Sequence, residues 1–176
     1  MANATLNFNN RKQQINVVIE KLSTSNLPNI LLASLFVYFC WSNNSPILLS
    51  AWLATQVIAS AIRSKVVYPR YFKTEINKSN LGQWQKWLIL SVLTNGILWS
   101  IGFIVFIVPS DTVVLLVLMF TFFVLQLSAT SILSPYMPAF YALTIPLIAS
   151  LFWVLFSNSE ILHIEAVVVL ILYSLV

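Results

Sequence analysis

The chain has 176 residues, of which 59% are hydrophobic and 8% charged, with a mean hydropathy of +0.88. A soluble domain carries about 25% charged residues, so a chain this apolar cannot cover its surface with polar groups and takes lipid as its main solvent. Its net charge of +4 does not point to nucleic acid: all nine Lys and Arg lie at or before Lys86, and no folded polar scaffold accompanies them.

The first 26 residues are polar and Asn-rich. They lack the short basic region and the apolar run of roughly 7–15 residues that mark a cleavable signal. Within them, RKQQINVVIEKL places Ile15, Val18, Ile19 and Leu22 at i, i+3, i+4 and i+7. One apolar stripe at this spacing predicts a short amphipathic helix on the inner membrane surface, within a cytoplasmic tail over residues 1–26. A partner-binding helix is the other reading.

Crossing roughly 30 Å of hydrocarbon takes about 20 apolar helical residues. Six candidate segments follow the tail: Leu27 to Trp41, Pro46 to Ile62, Trp84 to Val108, Thr112 to Ile132, Pro138 to Phe156 and Ile161 to Val176. They are apolar on all sides, whereas strands of a membrane barrel alternate. A helix also satisfies its own backbone hydrogen bonds in lipid. The expected fold is an all-α integral membrane bundle of six transmembrane helices over residues 27–176.

RSKVVYPRYFK, after the second segment, concentrates Arg63, Lys65, Arg70 and Lys73. Cytoplasmic loops are enriched in Lys and Arg, so these four residues are expected to anchor the topology, with Arg63 snorkelling from the end of its helix. Binding anionic lipid or contacting a cytoplasmic domain is an additional role open to them. The basic tail and basic loop then share one side, and both termini are cytoplasmic. Tyr68, Tyr71, Trp84, Trp87 and Tyr136 would mark the inner interface, and Tyr38, Trp41 and Trp153 the outer one. The sixth segment has 16 residues, about 24 Å of helix, and no anchor behind it. The chain is therefore expected to continue past Val176 into the cytoplasm.

Motifs for soluble catalysis do not occur: there are three glycines and one histidine, with neither a phosphate loop nor a nucleophile elbow. The reading is a non-enzymatic domain with no metal and no cofactor. The lone Cys40 reads as a small apolar residue. His163 and Glu165 open the sixth segment, where a carboxylate either has a sensing role or rests at the outer headgroups. Two residues apart, they do not share a helix face. Gln126 and Asn95 either join helices by hydrogen bonds or line a ligand pocket. Trp99 either lines that pocket or fills a core, and Gly96 admits a close helix. Pro146 is a hinge candidate, since an internal proline frees a carbonyl and permits a kink.

The order of these features resembles the multi-helix N-terminal membrane domains of bacterial signalling proteins that carry diguanylate cyclase (GGDEF), phosphodiesterase (EAL) or histidine-kinase domains. The resemblance rests on the leucine-rich NLPNILLASLFVYFCW and on SAWLATQVIASAIR, a helix ending in arginine. It continues through Asn95, Gly96, Trp99 and Ser100, then YMPAFYALTIP, and NSEILHIE with His163. Asn95 and Ser100 depart from the small residue and the glycine common there. The resemblance implies a multi-pass sensory input domain of the bacterial inner membrane. Such a domain would detect a small or lipophilic signal, apolar or amphiphilic, or respond to a membrane property, and pass the response through the last helix to a cytoplasmic output domain in cis, commonly as a homodimer; the resemblance does not say which signal. A small transporter or channel, or a structural assembly subunit, are the alternatives.

Overall fold

The computed structural model describes residues 2–77, 79–106 and 112–156, with side chains over 8–77, 79–106 and 113–154. Among them there are helices and turns but no strand. The helices are α1 (Ala2–Cys40), α2 (Pro46–Ile62), α3 (Tyr68–Lys73), α4 (Leu81–Phe106), α5 (Thr112–Leu133) and α6 (Met137–Phe156). Five stretches are long and apolar enough to cross a membrane: Phe8–Asn43, Pro46–Lys73, Leu81–Phe106, Val113–Leu133 and Met137–Val154. This is the composition of a multi-pass membrane protein. The expected sixth segment lies outside the described residues.

The second to fifth expected segments match α2, α4, α5 and α6 closely. The first does not stand alone. α1 is one helix of 39 residues, about 58 Å long at 1.5 Å per residue, and continues through Pro28. Its N-terminal stripe does not lie on a lipid surface: Ile15, Val18 and Ile19 are buried in the core. Polar contacts fix that half of the helix to the rest of the protein. Lys12 Nζ donates to the Ile76 carbonyl (3.3 Å), Lys21 Nζ to the Ser131 carbonyl (2.9 Å), and the Tyr71 hydroxyl to Asn16 Oδ1. Arg11 is also close to Tyr136 in the α5–α6 turn. Burial raises the Tyr136 phenol above its ordinary pKa, and the Arg11 charge partly offsets this.

RSKVVYPRYFK is not a loop either. Arg63–Val67 form a π-helical turn that carries α2 into α3. The Tyr68 N–H donates to the Arg63 carbonyl five residues back. Pro69 has no N–H to continue the ordinary ladder, and the wider turn accommodates it. Residues five apart on an α-helix point about 140° apart. The π turn closes i to i+5 and brings Tyr68 back over Arg63, and both are buried. Lys65, Arg70 and Lys73 remain exposed. Tyr68 and Tyr71, expected at the interface, are buried, whereas Trp87, Tyr38, Trp41 and Trp153 are exposed.

α4 and α6 share the most extensive helix contact, while α1 packs on α5 and α2. Gly96 is what allows the first of these. A Cβ there would lie 3.0 Å from the Leu143 carbonyl oxygen and 3.2 Å from its Cα, so the backbones nearly touch. Gly102 accepts the Trp52 indole, whose ring would come within 2.7 Å of a Cβ. Trp52 Nε1 donates to the Leu98 carbonyl at 2.8 Å. Phe36, Trp52, Trp99 and Phe103 build an aromatic core with ring centroids 5.3–5.9 Å apart. At the end away from the basic residues, Asn44 Nδ2 donates to the Cys40 and Phe106 carbonyls (3.0 and 2.9 Å). Both oxygens belong to the last residues of their α-helices.

Candidate functional site

A cavity of about 110 Å³ opens in the basic half of the bundle, walled by α1, the α2–α3 junction, α4, α5 and α6. Its α1 wall is the stretch around Pro28. There Ser23, Thr24 and Ser25 turn their hydroxyls back onto the carbonyls of Glu20, Lys21 and Leu22. Such back-bonding and an internal proline both loosen the helical ladder, and this stretch presents Asn26 and Asn29 to the cavity. The far wall is apolar, with Val124, Leu125 and Ala129 from α5 and Leu143 from α6.

Arg63 stands on the opposite side. Its side chain is 9% exposed, which corrects the expectation that it snorkels to the surface. The π turn directs it inward, where neutral oxygens receive it. Nη2 donates to Ser60 Oγ at 3.0 Å and to Asn95 Oδ1 at 3.3 Å. Its electrostatic neighbour is the Tyr68 phenol. Its Nε is buried and has no hydrogen-bond partner among the described residues. Arginine stays protonated in proteins, so this is a permanent charge held away from water.

A polar chain runs on from it. Asn29 Nδ2 reaches the same Asn95 oxygen at 3.5 Å, and Trp99 Nε1 donates to Asn29 Oδ1 at 3.0 Å. Asn26 Nδ2 donates to Ser64 Oγ at 2.8 Å, and the Asn26 side chain also bonds Tyr68. α1, α2, α3 and α4 are thus tied together at one level.

Of the residues singled out in the sequence, Asn95 lines the cavity, and Trp99 is one hydrogen bond behind it while filling the aromatic core. Gln126 is not on the cavity wall; its Oε1 accepts from Thr144 Oγ1 at 3.1 Å and joins α5 to α6. Pro146 lies inside α6. It cannot donate to the Ala142 carbonyl, and that oxygen faces α4, 3.3 Å from where a Gly96 Cβ would be. His163 and Glu165 lie outside the described residues. Sequence reasoning missed Asn26, Asn29 and Tyr68, and gave Arg63 a surface role. The available signals were an amide next to a proline in an apolar run, and Pro69 shortly after an arginine.

The arrangement is a set of hydrogen-bond donors and acceptors around one guanidinium. Its donors are a guanidinium, amides and hydroxyls, and no group of three metal-ligating side chains occurs among the described residues. Compared with protein-family models, curated proteins and solved structures, the chain matches none.

Proposed function

We propose that the chain is a sensory input domain of a bacterial inner membrane, with six transmembrane helices and both termini cytoplasmic. In this reading a small amphiphilic molecule occupies the cavity, and the response passes through the sixth segment to a cytoplasmic output domain that turns over cyclic-di-GMP or acts as a histidine kinase. The observation behind it is that one cavity is walled by α1, α4, α5, α6 and the α2–α3 junction. A ligand there touches four helices and the α2–α3 junction at once. It shifts the bundle to the extent that it binds one arrangement better than another. The small size of the cavity and its mixed polar and apolar walls suit a molecule with both characters.

The test is to read the encoding locus beyond Val176. An open frame running into a cyclase, phosphodiesterase or kinase domain is the expected result, and a stop codon overturns the tethered-sensor reading. Solute flux into liposomes carrying the protein would instead favour a transporter.

A further inference from the structure

Arg63 carries more information than its place in the polar chain. A buried ion without a counter-charge is destabilising, and its present partners, Ser60 and Asn95, are neutral. Among the described carboxylates, Glu20 and Glu75 are both exposed. The unpartnered Nε is buried at less than 1 Å² of exposure. In a guanidinium, Nε and the neighbouring Nη2 form a fork that matches the two oxygens of a carboxylate or phosphate; here Nη2 is held by the neutral Ser60 and Asn95, so an oxyanion takes the fork as the guanidinium turns from those partners toward the cavity that Arg63 lines.

The remainder of the cavity fits the rest of such a molecule. A void of about 150 Å³ holds a benzene ring, so about 110 Å³ holds an anionic head and a few carbons but not a long chain. Pro28 on α1 and Ser128 on α5 line the cavity and are exposed, which puts its mouth on the side of the bundle. Leu27 and Leu31 beside Pro28, and Leu127 beside Ser128, are exposed apolar side chains that an acyl tail can follow. Lys21 reaches the Ser131 carbonyl one turn beyond Ser128, so a second cation stands close to the mouth.

We propose that the cavity holds the oxyanion head of a single-chain amphiphile, with the Arg63 guanidinium as its anchor and the tail leaving between α1 and α5. This rests on the cavity being the ligand site of the proposed sensor and names the class of ligand. The head is a carboxylate or a phosphate monoester. Both meet the fork in the same way, and Lys21 adds to the hold on the doubly charged phosphate.

The experiment is equilibrium binding to the full protein in nanodiscs of zwitterionic lipid, using radiolabelled palmitate, palmitoyl-lysophosphatidate and methyl palmitate, with unlabelled competitor defining the saturable part. Expected is saturable binding of one or both anions, at least about tenfold tighter than the neutral ester, as a lost charged hydrogen bond implies. Arg63→Gln is expected to abolish that preference, and Arg63→Lys to keep part of it. Because Arg63→Gln removes a buried group and can disturb folding, Ser128→Phe provides a second variant at the exposed rim. It retains Arg63 and is expected to weaken anion binding by a similar factor. Palmitate tighter than lysophosphatidate identifies a carboxylate, and the reverse a phosphate; either supports the proposal. Equal saturable binding of the ester and the anions, blocked by Ser128→Phe, overturns the anionic anchor but leaves the cavity as a ligand site. No saturable binding of any probe overturns both.

Discussion

The Trp99 indole nitrogen donates to Asn29 Oδ1 at 3.0 Å and so joins the aromatic core of the bundle to the polar wall of the cavity. Trp99 itself is fully buried, with no water to replace that partner. Asn29→Leu is therefore expected to lower stability by about 1–3 kcal/mol, the range for a buried donor left unpaired. The Trp99→Phe, Asn29→Leu double variant removes both groups and should recover part of the loss. Thermal unfolding in detergent by circular dichroism reads both. Additive losses would mean that the bond contributes nothing.

Gly96 is expected to be far less replaceable than Gly82. A Cβ at this position meets the Leu143 backbone rather than a flexible side-chain end, so Gly96→Ala must push α4 from α6 along their most extensive contact. A Cβ at Gly82 would have nothing within 4 Å. Gly82→Ala should be neutral, or stabilising by up to about 1 kcal/mol through helix propensity. Comparing the two melting temperatures checks the close approach. Equal temperatures would show that α6 does not lie against Gly96.

Gln56 presents the opposite case. It is fully buried on α2, and neither its Oε1 nor its Nε2 has a partner among the described residues. An unsatisfied amide in such a place costs about 1–3 kcal/mol. Gln56→Met keeps the length of the side chain and removes the polar atoms, so it should leave stability unchanged or raise it by a similar amount. Marked destabilisation on heating would reveal that the amide has a partner beyond those described, such as a bound water or a group on the remainder of the chain.

The fold was legible where hydrophobic length decides it. α2, α4, α5 and α6 begin and end near the limits of their apolar runs, because lipid penalises any unpaired backbone between them. It was less legible where two rules compete. Pro28 and the Ser23–Ser25 hydroxyls read as a break between tail and first span, yet the helix continues, since Ile15, Val18 and Ile19 gain burial against the same core. The site was less legible still. The Lys and Arg asymmetry locates charges by sequence position alone and treats Arg63, Lys65, Arg70 and Lys73 alike. Which of them turns inward depends on the local winding of the helix, and composition says nothing about that.

The winding leads to the last prediction. Pro69 withholds the N–H that would bond the Lys65 carbonyl, and the five-residue turn from Arg63 to Val67 precedes it. Pro69→Ala supplies that donor, and an ordinary α-helix then becomes available from Pro46 through Lys73. In that helix Tyr68 would sit about 140° from Arg63, and the contact of its phenol with Asn26 would be lost. Alanine also favours the helix over proline, so the variant is expected to be no less helical by circular dichroism. Its cavity should nonetheless lose a wall, with reduced binding of the palmitate probe and a Tyr68 ring newly open to solvent-borne iodination. If Pro69→Ala leaves Tyr68 protected and binding intact, proline is not the cause of the π turn. The packing of Arg63 against Ser60 and Asn95 would then be what holds it.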